Sequence, residues 1–275
     1  SGYSKNITNG QELDNVDNFS VRGQLAFNPT DVTEVLLSAD YSKDTPNGEC
    51  RNLTKIDKQT LKGTPEQHAY LAQMIIDEGI DDPRTCGQSV VQGSEKSVSG
   101  VSMRIEHDFD ALQLTSITAF RQAEYDWVHE LGGVDAPPGL LAVVDNEGEE
   151  SDQLSQEIRL SNTTDNMHWV LGAYAIQENV DRFANVPITF ASGLLLDRSW
   201  LQSAQNTSKA VFGQITFPLM DQLNLTLGGR QTWDDKDMDQ LFKSSPTTVV
   251  YDLKDLSDSW SAFTGRATLD YKIDE

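Results

Sequence analysis

The chain has 275 residues, with 21 Lys and Arg against 43 Asp and Glu and a formal net charge of -22. That balance excludes a nucleic-acid binder, which needs clustered cations to meet phosphates, and no basic stripe occurs anywhere. The longest apolar patches, Gly139 to Val144 and Gly193 to Leu196, fall far short of the roughly 18 residues of a spanning helix, so a helical membrane protein is excluded as well.

In chain order, the first residues, SGYSKNITNG, carry neither the charged nor the apolar region of a signal peptide. Period-two alternation, which sets one group of side chains on each face of a strand, then begins at Val16 and runs to Phe27. There Phe19, Val21, Gly23, Leu25 and Phe27 alternate with Asn18, Ser20, Arg22, Gln24 and Ala26. A second segment sets Val35, Leu37, Ala39 and Tyr41 against Leu36, Ser38 and Asp40. After a long interval Val101, Met103, Ile105, His107 and Phe109 alternate with Ser102, Arg104, Glu106 and Asp108. A less regular strand follows from Leu112 to Val128, with Ile117 and Ala119 out of phase. Five further strands centre on QLSQEIRLS from Gln153, HWVLGAYAI from His168, AVFGQITF, NLTLGGRQTW and FTGRATLDY, making nine in all. Each spans roughly 9 to 13 residues, the length a tilted strand needs to cross a hydrocarbon layer, whereas soluble strands average about 5 to 6.

The connections alternate between short and long. NPTD from Asn28, a tight join at Asp108 to Ala111, NTTDNM from Asn162 and PLMDQ from Pro218 are short. Lys43 to Ser97, His129 to Ser151, Asn179 to Asn206 and about Asp235 to Ser257 are long. In a meander, successive connections lie on opposite sides, and outer-membrane barrels have short periplasmic turns and long outer loops, so the short side is expected to be periplasmic. The strands that run toward the short turns end on Phe27, Phe109, Phe217 and Tyr271, read as one interfacial aromatic belt, with Tyr41, Trp127, Trp233 and Trp260 as the opposite one. Alternation alone suits a soluble sandwich or solenoid equally well. Strand length, loop asymmetry and the aromatic phase together point to a membrane barrel.

Little else carries chemistry. His68, His107, His129 and His168 show no zinc-motif spacing, and neither a nucleophile elbow nor a phosphate-cradling or dinucleotide-binding glycine loop occurs. No enzyme activity, cofactor or metal site is expected. Asp235, Asp237 and Asp239 imitate the start of a calcium loop, but Gln240 and Pro246 stand where Gly and Glu are required, so this run, like DNEGEE from Asp145, reads as a solvated acidic loop. Within the longest connection, Leu71, Met74 and Ile75 suggest a short surface helix between Pro65 and Gly79. Cys50 and Cys86 are free thiols if the protein is intracellular and are able to pair if it belongs to the cell envelope.

Several segments resemble the barrel of proteobacterial TonB-dependent receptors. These are VRGQLAFNPTDVTEVLLSADYS, QLSQEIRLSN followed by WVLGAY, AVFGQITFPLMDQLNLTLGGRQTW and WSAFTGRATLDYKI. The resemblance covers nearly all of the chain outside the long loops. It implies a barrel of roughly 22 strands filled by an N-terminal plug. Such receptors import a scarce nutrient, such as an iron-siderophore complex, across the outer membrane of a Gram-negative bacterium by force passed from the TonB protein. The expected partners are therefore outer-membrane lipid, TonB acting through a plug, and a small-molecule ligand such as a metal chelate. Ligand-contacting residues are not legible. The fold class expected is all-β, an antiparallel up-and-down meander of about nine strands forming an incomplete part of a larger transmembrane barrel. Residues 1–275 would be that partial barrel domain, without plug or C-terminal strands, and 43–97 an extracellular loop insertion in which Cys50 and Cys86 are disulfide-bonded. A passive porin and a soluble β-rich adhesin or binding protein are the alternatives.

Overall fold

The computed structural model describes residues 2–51, 69, 73, 82–131, 142–164, 167–189 and 195–273. Its strands in chain order are β1 (Ser4–Asn6), β2 (Glu12–Leu13), β3 (Asn18–Thr30), β4 (Thr33–Asp44), β5 (Thr85–Cys86), β6 (Gly93–Phe109), β7 (Leu112–Glu130), β8 (Ala142–Thr164), β9 (Met167–Thr189), β10 (Leu195–Met220), β11 (Leu223–Ser245) and β12 (Thr248–Tyr271). Nine of them, β3, β4 and β6 to β12, form one sheet in strict chain order. Every pairing in it is antiparallel. The outer strands β3 and β12 each have a neighbour on one side only. A second, small sheet has the order β2-β1-β5.

The short turns follow from local chemistry. Asp110 takes the left-handed conformation that a two-residue hairpin favours, with φ 51°, and Phe109 pairs directly with Leu112. At the first turn the ladder slips between Phe27 and Thr30, which places Pro29 in a bulge of an edge strand where no amide hydrogen is needed.

Register then decides the faces. Leu25 opposes Leu37, Leu37 opposes Met103, Leu160 opposes Leu171, Ile215 opposes Leu227, and Leu225 opposes Leu269. One face of the short-turn half is thus largely apolar, and none of the described residues packs on it: Val21 is 54% exposed and Leu25 60%. Val21, Leu37 and Ile105 share this face as their phase requires. Among the described residues each of the nine strands contacts only its ladder neighbours, so no second sheet covers the face as it would in a sandwich.

The ladder is longer than the alternation indicates. β8, β9 and β11 have 23 residues and β10 has 26, and pairing runs through most of what reads as long loops. At a rise of about 3.3 Å per residue such strands reach roughly 75 to 85 Å, more than twice a hydrocarbon layer of about 30 Å. DNEGEE and WDDKDMDQL are therefore strand rather than loop. The physical reason is solvent. Beyond the apolar band both faces meet water, as the outward row Glu124, Glu150, Asp181 shows, so the period-two signal vanishes while the backbone ladder continues. The helix expected between Pro65 and Gly79 lies outside the described residues apart from Ala69 and Gln73, both helical.

Candidate functional site

The opposite face of the sheet is polar and carries a lattice of paired charges near the short turns. Arg121 binds Asp40 at 2.6 Å across β6, and its guanidinium lies over Gly100, where a side chain would collide with it. Arg159 meets Glu157 at 2.9 Å, and Arg104 meets Glu106. Arg230 lies 5.7 Å from the ring centres of both Tyr174 and Phe212, a cation–π arrangement, and the Phe212 ring covers Gly172 so closely that any Cβ there would overlap it.

Toward the far end the same face changes character. Tyr125, Trp127 and His129 occupy successive same-face positions of β7, and their direct partners on β8 are Glu149, Glu147 and Asp145. Glu149 opposes Arg182 on β9, Glu147 opposes Ala184, and Ala184 opposes Trp200, which opposes Phe242, which opposes Tyr251. A hollow of about 400 Å³ opens here, lined by Asp145, Glu147, Arg182, Trp200, Gln202 and Gln240 with two small apolar residues. The Trp200 and Phe242 rings stack at 4.8 Å with planes 15° apart, and Tyr251 continues the row at 5.4 Å from Phe242.

The electrostatics follow from that crowding. The hydrogen bond to Glu147 raises the Arg182 guanidinium further above its usual range. Burial, reinforced by the Glu147 charge, raises the Asp145 carboxyl, and burial with Glu147 and Glu49 nearby raises the Tyr125 phenol. Burial lowers the His129 imidazole, with the Arg51 charge adding and Glu49 opposing. Trp127 Nε1, His129 Nδ1 and Asp145 Oδ1 are buried with no hydrogen-bond partner among the described residues.

Beside this hollow sits the small sheet, held largely by side-chain amides around the buried Leu13 and Cys86. Gln88 and Asn6 exchange hydrogen bonds, Asn6 Nδ2 donating to Gln88 O at 2.8 Å and Gln88 N to Asn6 Oδ1 at 3.1 Å. Gln92 N donates to Gln11 Oε1 at 3.0 Å, and Gln92 Oε1 accepts from Glu130 N at 3.2 Å. Glu130, fully buried at the end of β7, accepts at Oε2 from Ser89 N at 2.6 Å, Ser89 Oγ at 3.0 Å and Val90 N at 3.3 Å. Cys50 and Cys86 form a disulfide with Cα atoms 5.6 Å apart.

The residues singled out from the sequence fall as follows. Phe27, Phe109, Phe217 and Tyr271 all lie on the apolar face, and Tyr41 and Trp233 share it. Trp127 and Trp260 do not. Ladder register places both on the polar face, Trp127 opposite Glu147 and Trp260 opposite Asp234, so the second belt as read mixes two faces. The irregular alternation of β7 hides the position of Trp127, whereas Trp260 stands three residues before Phe263 on β12 and is out of phase with it. His107 bonds Thr33 Oγ1 at 2.8 Å and packs on Phe109, away from His129, and no metal-binding group of His, Cys, Asp or Glu occurs among the described residues. Sequence reasoning missed Arg182, Glu130 and the Asn6, Gln88 and Gln92 cluster. Only contacts between distant segments reveal them.

A nine-stranded antiparallel wall with one bare apolar face and one charged face defines a transmembrane β-barrel architecture. Residues 6–275 match the family of TonB dependent receptor-like β-barrels, and the chain belongs to that family, one of receptors. Among solved structures it resembles the ferric yersiniabactin uptake receptor FyuA from Yersinia pestis, with TM-score 0.72, 14% identity, and coverage of 100% of this chain and 38% of that one. It also resembles the siderophore receptor PiuA from Acinetobacter baumannii, with TM-score 0.63, 14% identity, and 94% and 40% coverage. A third likeness is to the ferric-catecholate import receptor Fiu from E. coli K12 in its open form, with TM-score 0.61, 13% identity, and 96% and 46% coverage. The chain thus spans less than half the length of these receptors. No curated protein matches it in sequence.

Proposed function

We propose that this chain forms part of the wall of a TonB-dependent receptor in the outer membrane of a Gram-negative bacterium, one that imports a scarce nutrient such as an iron-siderophore complex. The observation that carries the reading is the inverted exposure of the sheet: Leu25, Phe263 and Leu269 are 60%, 71% and 62% exposed on one face, while ion pairs line the other. Such a face is stable only against hydrocarbon, and the family and the three structural likenesses supply the remaining context. The roughly ten residues of each strand next to the short turns span the bilayer. The polar face lines the lumen, 43–97 is an extracellular insertion, and the edges of β3 and β12 pair with further strands of a larger barrel. The partners are outer-membrane lipid, a small-molecule ligand such as a metal chelate, and TonB acting through a plug. A plugged lumen admits no free diffusion, so binding at the outer end must be followed by work on the plug.

Growth on the limiting nutrient, compared between strains with and without a functional TonB system, tests the proposal. Uptake is expected only with TonB. Equal uptake in both strains would reassign the protein as a passive porin. Loss of uptake on deleting 43–97 alone would place ligand capture in that loop.

A further inference from the structure

The face that is apolar near the short turns carries a second apolar row much farther out. Ladder register sets Asp126, Gly148, Phe183, Leu201 and Leu241 side by side across β7 to β11, in the phase of Leu154, Leu171 and Val211. Between the two apolar zones the same face holds Gln177, Asn179 and Asp181 on β9 opposite Thr207, Gln205 and Ser203 on β10. Phe183 follows Met167, the short-turn end of β9, by 16 residues, and Leu201 precedes Met220, the short-turn end of β10, by 19. At about 3.3 Å per residue and a tilt of about 45°, the row stands roughly 35 to 45 Å from the short turns, outside a hydrocarbon layer of about 30 Å. Lipid chains therefore do not reach it. No described strand packs over it either, and Phe183 is 38% and Leu201 48% exposed.

A hollow of about 410 Å³ opens over this row, floored by Phe183, Leu201 and Leu241. The Phe183 ring fills the space over Gly148, where a Cβ would stand 2.2 Å from it, so the glycine sets the depth of the recess. A recess of this kind takes one or two large apolar side chains, the part of an interface that carries most of its energy. The rim has one sign. Asp126, Glu150, Asp181 and Asp239 line it on this face, and Glu124 stands opposite Glu150. Lys254 is already held by Asp239 at 3.4 Å and Asp252 at 3.6 Å, and Lys243 lies one row farther out, opposite Ser199. Arg182 belongs to the other face, where it bonds Glu147. Acids thus outnumber bases around an apolar floor, which attracts a basic surface and repels an anionic saccharide or a second copy bearing the same acids.

We propose that this hollow docks a basic protein segment, which inserts one or two apolar side chains between Phe183 and Leu241 from outside the barrel, above the bilayer. The proposal rests on the membrane-wall reading above and adds a partner met on the outward face, apart from any ligand in the lumen. Phe183, Leu201 and Leu241 receive the apolar side chains, and the carboxylates from Asp126 to Asp239 receive the cations that flank them.

Three short fluorescent peptides are titrated against the whole receptor in nonionic detergent, with binding to empty micelles subtracted: one alternating Lys with Phe and Leu, one with Ser in place of Phe and Leu, and one with Glu in place of Lys. The first is expected to bind roughly tenfold tighter than the second, and both to weaken as salt is raised. Phe183→Ser/Leu201→Ser should erase that tenfold difference while leaving the Lys and Ser peptide's affinity in place, which shows that the variant is folded. Glu150→Gln/Asp181→Asn should weaken both Lys peptides. Equal binding of the two Lys peptides, a preference that survives Phe183→Ser/Leu201→Ser, or tighter binding of the Glu peptide overturns the proposal. So does a lipopolysaccharide core oligosaccharide that binds the wild type and not the serine variant, which makes the occupant a saccharide, or a receptor dimer lost in that variant, which makes it a second copy. Detergent dependence is scored separately: a receptor monodisperse in plain buffer removes the membrane wall itself, whereas failed probes on a detergent-dependent receptor remove only the partner.

Discussion

Individual residues hold this wall together in ways their neighbours in sequence do not announce. Glu130 is the clearest case, because one of its carboxylate oxygens gathers Ser89 and Val90 from within the 43–97 connection. Glu130→Ala would remove three part-buried hydrogen bonds to a carboxylate, donated by Ser89 N, Ser89 Oγ and Val90 N, at about 1 to 3 kcal/mol in all. Amide hydrogen exchange should show lost protection over 2–14 and 82–92 while the nine-stranded ladder stays protected. His129 adds a pH dependence of known sign. Its folded pKa is lowered, so stability is full above the unfolded value of about 6.5 and declines as pH falls below it, where the unfolded chain takes up a proton that the buried ring refuses. The same exchange measurement should find this region loosened at mildly acidic pH in the wild type and unchanged in His129→Gln. Gly172 was legible only as part of the familiar WVLGAY segment. The structure supplies the cause, a Phe212 ring 2.3 Å from where its Cβ would stand. Gly172→Ala is expected to displace that ring at about 1 to 3 kcal/mol, and Phe212→Ala in the same chain should recover part of the loss.

At the scale of elements, legibility tracked the solvent. Strands β3, β4, β6 and β8 to β12 were readable where one face is apolar and the other polar, since lipid on one side imposes period two on the side chains. Where β8 to β11 rise beyond the apolar band, Asp, Glu, Ser and Asn suit both faces and the pattern disappears, though the pairing does not. The small sheet was invisible for a different reason. β1, β2 and β5 have 3, 2 and 2 residues, too few to show any period, and only contacts across some 80 residues assemble them. Among the described residues this sheet buries few apolar side chains, Leu13 and Cys86, so the Cys50–Cys86 disulfide should contribute disproportionately. Closing a loop of 36 residues restricts the unfolded chain by roughly 3 to 4 kcal/mol. Cys50→Ser/Cys86→Ser, or reduction, is expected to release β1, β2 and β5 together, read as protease cleavage between 2 and 17 or 82 and 92, with β6 to β12 resistant. Cleavage confined to neither region would show that the amide cluster alone suffices.

On the scale of the whole molecule, the sheet is a wall without an interior. Among the described residues the buried hydrophobic positions are Leu13, Val35, Cys86, Ala184 and Ala210, whereas Phe19, Leu25, Val101, Ile158, Leu171 and Phe263 stand open on the sheet. A contiguous apolar surface of this kind has no stable contact with water and seeks lipid, detergent or another copy of itself. The two edges compound the problem. β3 is exposed along its whole length and β12 along nearly all of it, and each presents a row of unpaired amide and carbonyl groups that template pairing with another chain. Neither liability is offset by the net charge of -22, because the acids cluster toward the far ends of β7 to β11 and leave the short-turn half of the apolar face free of acids. The 275-residue chain by itself is therefore expected to aggregate in aqueous buffer and to stay dispersed, with its far-ultraviolet strand signal intact, only in detergent or lipid. Even there, edge pairing should drive it to dimers or higher species, which light scattering coupled to size exclusion resolves once the detergent mass is subtracted. Lysines introduced at outward-facing positions of both edges, Val21→Lys on β3 and Phe263→Lys on β12, should shift that distribution toward monomer by repelling a second edge. A monodisperse monomer in plain buffer would mean that the apolar face is covered in solution, and the membrane reading of this wall would fall with it.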